Sequence, residues 1–214
     1  MTAERQLDGR WPEWMVHYSQ LGYTSDLVAL DGIGDQPLFQ RAGRRILFVL
    51  KEPNQQKNTD MRWELRKGPS GPPWHAVARW AACLLAKDVL SYDDAEATKR
   101  TALRQVAAIN IKKISGGAKS DMADISAVAY RDRKVLREQI QEISPQIIVA
   151  CGTFAQLVWL LKLDLPAASV DLSAVWSASR DFCVVPFRHP TRSGRSDYYR
   201  LAHLGPSLEF PLAQ

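Results

Sequence analysis

The stretch RRILFVLKEPNQQKN, residues 44–58, decides how this chain folds. Ile46 to Leu50 are five apolar residues in a row, with β-branched and aromatic members, and the run breaks at once on Lys51, Glu52, Pro53 and Asn54. A run this short and this sharply bounded predicts a strand over 44–51 that is buried on both faces. The charged pair and the proline then mark where that strand leaves the sheet.

Three more runs read the same way: QVAAINI at 105–111, QIIVAC at 146–151 and FCVVPFR at 182–188. Helical patterns lie between them. WPEWMVHYSQLG, residues 11–22, has Pro12 in its first turn and Gly22 after its end. The Pro/Gly segment KGPSGPPW, 67–74, opens a helix whose apolar positions Val77, Trp80, Ala81 and Leu84 recur at helical spacing. The next helix is predicted over 92–104. A long one then covers Asp121 to Ile143, with Met122, Ile125, Ala129, Leu136, Ile140 and Ile143 as its buried stripe. Gly152 and Thr153 turn the chain into FAQLVWLLKL, and a terminal helix begins near Ser196. Residues 1–40 offer only the first helix and a turn-rich loop, DGIGDQP.

Strands alternating with helices predict right-handed crossovers and a covered sheet. The expected fold is α/β, a three-layer α/β/α sandwich around a central, mostly parallel four-stranded sheet, in a single domain over 1–214.

Composition narrows the function classes. The chain has 214 residues, with 28 Lys plus Arg against 23 Asp plus Glu, for a net charge of +5. That balance suits a polyanionic partner. No window reaches the roughly 18 consecutive apolar residues of a spanning helix. MTAERQLDGRW is charged and lacks the apolar segment of a secretory signal, so a cytoplasmic location and no membrane partner are expected. Cys83, Cys151 and Cys183 are far apart and lie in apolar runs without a CxxC. They are expected to be buried, reduced thiols, with no four-thiolate cluster, metal or cofactor.

In a parallel sheet the carboxyl ends of the strands share one edge, where ligands bind. The first, second and fourth runs deliver Glu52, Asn110 and His189 to that edge. An amide carries both a donor and an acceptor, and so can read the edge of a base. An imidazole can donate to a developing anion, and a carboxylate can stabilise a cation or orient water. Each residue also has a plainer role open to it: a solvated strand-end charge for Glu52, a turn former for Asn110, a packed ring for His189.

These residues resemble motifs of the uracil-DNA glycosylase superfamily. VLKEPN resembles its first motif, a strand followed by a polar residue, an acid or amide, and proline. AAINIKK is similar to the strand carrying the base-recognition asparagine, and RHPTRSG to the second motif, where His-Pro opens a loop that meets DNA. GPSGPPWHAV is similar to the proline-rich loop that presses on a DNA backbone. In chain order VLKEPN, GPSGPPWHAV, AAINIKK and RHPTRSG, the four motifs cover most of the chain from about 44 to 200.

The resemblance implies hydrolysis of the N-glycosidic bond of uracil or another modified base in DNA, single- or double-stranded, by a monomer that flips the base out of the stack. By it, Glu52 orients water and stabilises the cationic sugar, and His189 donates to the departing base. Asn110, Lys51, Asn54 and Trp63 form the base-binding set, Trp63 being the stacking ring in the loop after the first strand. Lys112, Lys113, Thr191, Arg192, Ser193 and Arg195 are the expected DNA contacts, with neutral hydrogen bonds from the Gly116-Gly117 backbone.

The chain departs from the best-known branch in three places. Glu52 stands for an aspartate, Asn54 for a tyrosine that excludes thymine, and Thr191, Arg192 and Ser193 for a further proline and an apolar wedge. Two other classes stay open. One is a non-catalytic nucleic-acid or nucleotide-binding protein on the same fold. The other is an enzyme of small phosphorylated metabolites using the Gly152-Thr153 turn.

Overall fold

The computed structural model describes residues 11–54, 59–116, 120–165, 174–177, 179, 181–208 and 210. Helix α1 (Trp11–Gln20) comes first, with Pro12 in its opening turn, where no intrahelical N–H is needed. The DGIGDQP segment holds strand β1 (Gly32–Ile33) and the start of helix α2 (Gln36–Arg41). Asp35 caps that helix by accepting from the Leu38 N–H at 3.2 Å. Strand β2 (Ile46–Leu50) follows, buried at all five positions.

After β2 come helices α3 (Met61–Lys67), α4 (Pro72–Leu85) and α5 (Tyr92–Arg104), then strand β3 (Ala107–Asn110). Helices α6 (Met122–Arg131) and α7 (Arg133–Ile143) lead to strand β4 (Ile147–Cys151) and helix α8 (Phe154–Leu160). Strands β5 (Val175–Trp176) and β6 (Cys183–Phe187) and helix α9 (Arg195–Leu204) complete the series. Among the described residues no helix is long and apolar enough to cross a membrane.

The strands lie in the order β1-β3-β2-β4-β6-β5. The inner four, β3, β2, β4 and β6, are parallel, and they are the four apolar runs of the sequence. The two edge strands are antiparallel. The sheet is therefore mixed and six-stranded, not four-stranded. Two-residue edges are too short to show any periodicity, and antiparallel ends of this length also blunt the sheet against further pairing.

Alternate residues of β2 feed two apolar clusters. Ile46, Phe48 and Leu50 pack with Leu65, Trp80, Leu103 and Leu201 on one face. Leu47 and Val49 pack with Trp14, Ile125, Leu136 and Leu157 on the other. Helices α3, α4, α5 and α9 thus cover one side, and α1, α6, α7 and α8 the other. The three thiols sit in this interior, and burial pushes those of Cys83 and Cys183 up to about 12.

The long helix expected over 121–143 is two helices that meet at Asp132, where φ −92° and ψ 10° leave the helical region. Met122, expected in the buried stripe, is 38% exposed. The cause is a carboxylate drawn inward. Asp132 accepts from the Tyr18 hydroxyl at 3.0 Å, from Arg131 Nε at 2.6 Å, and meets His17 Nε2 at 2.7 Å. Periodicity alone does not show such a break, because the apolar stripe continues through it.

Burial works to raise the Asp132 carboxyl, but its bonds from Arg131, His17 and Tyr18 outweigh that and hold its pKa below the ordinary value. A depressed folded-state pKa gives stability that is complete above the unfolded value, ~3.9, and is lost as pH falls through the folded one. Urea unfolding from about pH 5 down to about pH 2 is expected to show a steeper loss for the parent than for Asp132→Asn. Parallel acid limbs for the two would remove Asp132 as a source of the pH dependence.

Candidate functional site

The carboxyl ends of the parallel strands meet where the connections diverge. From β2 the chain goes to β3 on one side and then crosses back to β4 on the other, the kind of switch point where α/β sheets open a crevice. Pairing runs on past the strand ends, since Ile111 N–H donates to the Leu50 carbonyl at 3.0 Å and Lys112 N–H to that of Lys51 at 2.9 Å. At the end of β4, Gly152 has φ +72°, and a Cβ there would fall 2.9 Å from Lys51 Cε and 3.8 Å from the His189 backbone nitrogen. The Lys51 stem therefore lies against the chain just past the end of β4.

Glu52 stands two residues past Leu50, the last apolar position of the opening run. Its side chain is only 6% exposed, and its Oε2 lies 3.1 Å from Lys112 Nζ. Its Oε1 is buried and has no hydrogen-bond partner among the described residues. Gly116 presses on the same group, so closely that a Cβ would collide with both carboxylate oxygens. Ser115 Oγ, donating to the Pro53 carbonyl at 3.2 Å, pins the loop after β3 onto the loop after β2. Lys112 also donates to Asp124 Oδ2 at 2.6 Å. Burial opposes the charge on Lys112, but its bonds to Asp124 and Glu52 outweigh this and raise its pKa.

Asn110 ends β3, level with Leu50, and is buried. Its side-chain Nδ2 donates to Met61 Sδ at 2.7 Å, a weak acceptor. His189 follows β6 and caps a short 3₁₀ turn, Pro190–Arg192. Its Nδ1 faces the Thr191 N–H at 3.5 Å and Thr191 Oγ1 at 3.0 Å. A ring nitrogen that accepts there leaves the proton of the neutral imidazole on Nε2. The loop is anchored beyond it, where Arg188 Nε lies 3.0 Å from Asp197 Oδ1 and Gly194 N–H donates to Asp197 Oδ2 at 2.9 Å.

The three residues expected at one edge are thus all at the carboxyl ends of parallel strands, with β4 between β2 and β6. Two strand spacings separate the backbones of β2 and β6, ~10 Å. Other expectations are corrected. Lys113 makes no surface contact: it is 0% exposed, and its Nζ donates to Asp31 at 2.8 Å and to Gln139 Oε1 at 2.8 Å. Lys112 is buried too, and its charge is held between Glu52 and Asp124. Trp63 is 59% exposed but stands in the first turn of α3, a helix where the sequence suggests a loop.

Asn54 and Thr191 are exposed, Ser193 Oγ donates to the Pro190 carbonyl at 2.9 Å, and Arg192 lies in the 3₁₀ turn. Arg195 is exposed, 3.2 Å from Asp93 and stacked over Tyr92 at 4.5 Å. Gly117 lies outside the described residues. The Gly152-Thr153 turn has no hydroxyl to offer a phosphate, because Thr153 Oγ1 is buried and donates to the Val49 carbonyl at 2.9 Å. Among the described residues no group of three or more His, Cys, Asp or Glu side chains is placed to hold a metal ion.

Asp31, Met61, Asp124 and Gln139 are the partners that sequence reasoning passes over. Asp31 sits in a segment that reads as a turn, and Met61 in one that reads as a loop. No protein-family model matches the chain, and no curated protein matches it.

The contact between Gly116 and Glu52 is testable by a double-mutant cycle. Gly116→Ala forces the pinned carboxylate away from Lys112 and is expected to lower the unfolding free energy by about 1–3 kcal/mol, typical of overpacking. In a Glu52→Ala background the same change meets no carboxylate and is expected to cost far less, a coupling of about 1 kcal/mol or more. Additive effects in urea titrations would mean the two residues do not touch in solution.

Proposed function

We propose that this protein is an outlying member of the uracil-DNA glycosylase superfamily that hydrolyses the N-glycosidic bond of uracil or another modified base in DNA. One observation carries the reading: a buried carboxylate, Glu52, keeps one oxygen unpartnered among the described residues at the carboxyl end of β2, beside the switch point of the sheet. A buried acceptor left without a donor is costly in a purely structural role, ~1–3 kcal/mol. It is what a water or a developing cation needs to find.

In this reading the target nucleotide leaves the stack and its base enters the crevice between β3 and β6. The bond between sugar and base breaks with its electron pair leaving on the base. Glu52 stabilises the cationic sugar and orients the water whose oxygen forms the new bond, and the proton that water gives up neutralises the departed base. His189, neutral, offers Nε2–H to the base oxygen on which negative charge develops. Asn110 reads the base edge, with Lys51 and Asn54 beside it, and Trp63 supplies the flat partner. Thr191, Arg192, Ser193 and Arg195 carry the phosphate contacts. Lys112 and Lys113, being buried, have no part in them.

A second reading, a non-catalytic nucleic-acid binder on this fold, draws support from Gly116 and Lys112. Together they cover and neutralise the carboxylate, so the 115–116 segment has to move before a substrate reaches it.

The deciding experiment uses labelled single- and double-stranded oligonucleotides containing uracil, hypoxanthine or xanthine. Abasic sites are expected with at least one of them. Glu52→Gln and His189→Ala are each expected to slow their formation by ~10²-fold or more. Salt-dependent binding with no base released from any substrate would overturn the hydrolase in favour of the binder.

A further inference from the structure

Asn110 is tied down by more than its strand. β1 pairs with β3 only through Gly32 and Ile33, opposite Ala108 and Ala107, so it ends before it can pair with Asn110. On that side the backbone of Asn110 is instead held by side chains. Its N–H donates to Asp31 Oδ2 at 2.8 Å, and its carbonyl accepts from Lys113 Nζ at 2.8 Å. Those two side chains are themselves a buried ion pair, 2.8 Å apart at its shorter contact. Gln139 from α7 closes the frame, donating to Asp31 Oδ1 at 2.8 Å and accepting from Lys113 Nζ at 2.8 Å. The indole of Trp14 lies under the ammonium, 4.9 Å from its centroid.

We infer that Asp31, Lys113 and Gln139 are positioning residues that fix Asn110 for reading the base. The inference rests on the proposed function for what Asn110 reads, but not for what holds it. Backbone–backbone pairing, as in the rest of β3, would have sufficed to keep the strand in the sheet. A buried ion pair is a poor source of net stability compared with apolar packing, and its attested use is to fix one geometry. Here it grips both polar backbone atoms of the residue that carries the amide. Among the described residues the amide nitrogen bonds to a thioether sulfur, that of Met61, which a carbonyl of a base displaces easily because sulfur accepts weakly. The frame is rigid behind the amide, and the contact in front of it is exchangeable.

The test replaces the pair together, Lys113→Met with Asp31→Leu, so that no lone charge is left buried. Asp31→Asn is the milder companion, keeping one oxygen for the Asn110 N–H while dropping the charge that holds Lys113. Two readouts are taken on each. Amide hydrogen exchange by NMR is expected to quicken by about tenfold or more at Asn110 in the double variant, less in Asp31→Asn, with Ala107 and Ala108 unchanged. Excision from uracil, hypoxanthine and xanthine substrates is expected to lose its ranking, with KM rising more than kcat falls.

Unchanged exchange at Asn110, or an equal rise along all of β3, would overturn the inference. So would full retention of base ranking. If the parent releases no base at all, the proposed function falls, while the exchange measurement still decides whether these three residues hold Asn110.

Discussion

Both faces of β2 are dry, and that condition decides where the polar groups around it go. Ile46 to Leu50 pack alternately into two apolar clusters, so neither side of the strand admits a charge. Polarity collects at the carboxyl end, and the same holds for β3 beside it and for β6 on the far side of β4. The switch in strand order opens the sheet at that end. The polar edge is therefore what remains after the interior has been filled.

Two consecutive lysines show how finely that edge is divided. Lys112 turns to Glu52 and Asp124, and Lys113 turns to Asp31 and Gln139. The chain bends at Ile111 and Lys112, and one cation meets the Glu52 carboxylate while the next serves the backbone of Asn110. Each is buried with a carboxylate. Removing one partner of such a pair typically costs 3–5 kcal/mol, because the other is left charged in a poorly solvating place.

The inner four strands were legible because double-sided burial writes itself as an unbroken apolar run. The residues that cap them, Glu52, Asn110 and His189, were legible for the same reason: each interrupts or ends such a run. The edge strands were not, since Gly32–Ile33 and Val175–Trp176 are too short to carry a pattern. Lys113 misled because a lysine in a KK pair reads as solvated, and only the fold brings Asp31, 82 positions earlier, to meet it. Asp132 misled differently. Its helical surroundings gave no sign that Tyr18 and His17 would pull it inward and split the helix.

The three sulfurs give the sheet a chemical clock. Cys151 ends β4, Cys183 begins β6 on the neighbouring strand, and Cys83 lies in the helix packed above them. The strand register sets Cys183 opposite Ile147 and Phe187 opposite Cys151, so the two strand thiols are four rungs apart and cannot bridge within the native sheet. An alkylating reagent reaches them only when layers separate. The rate at which the native chain takes up label therefore counts excursions of the β-layer itself, with no tag or dye introduced.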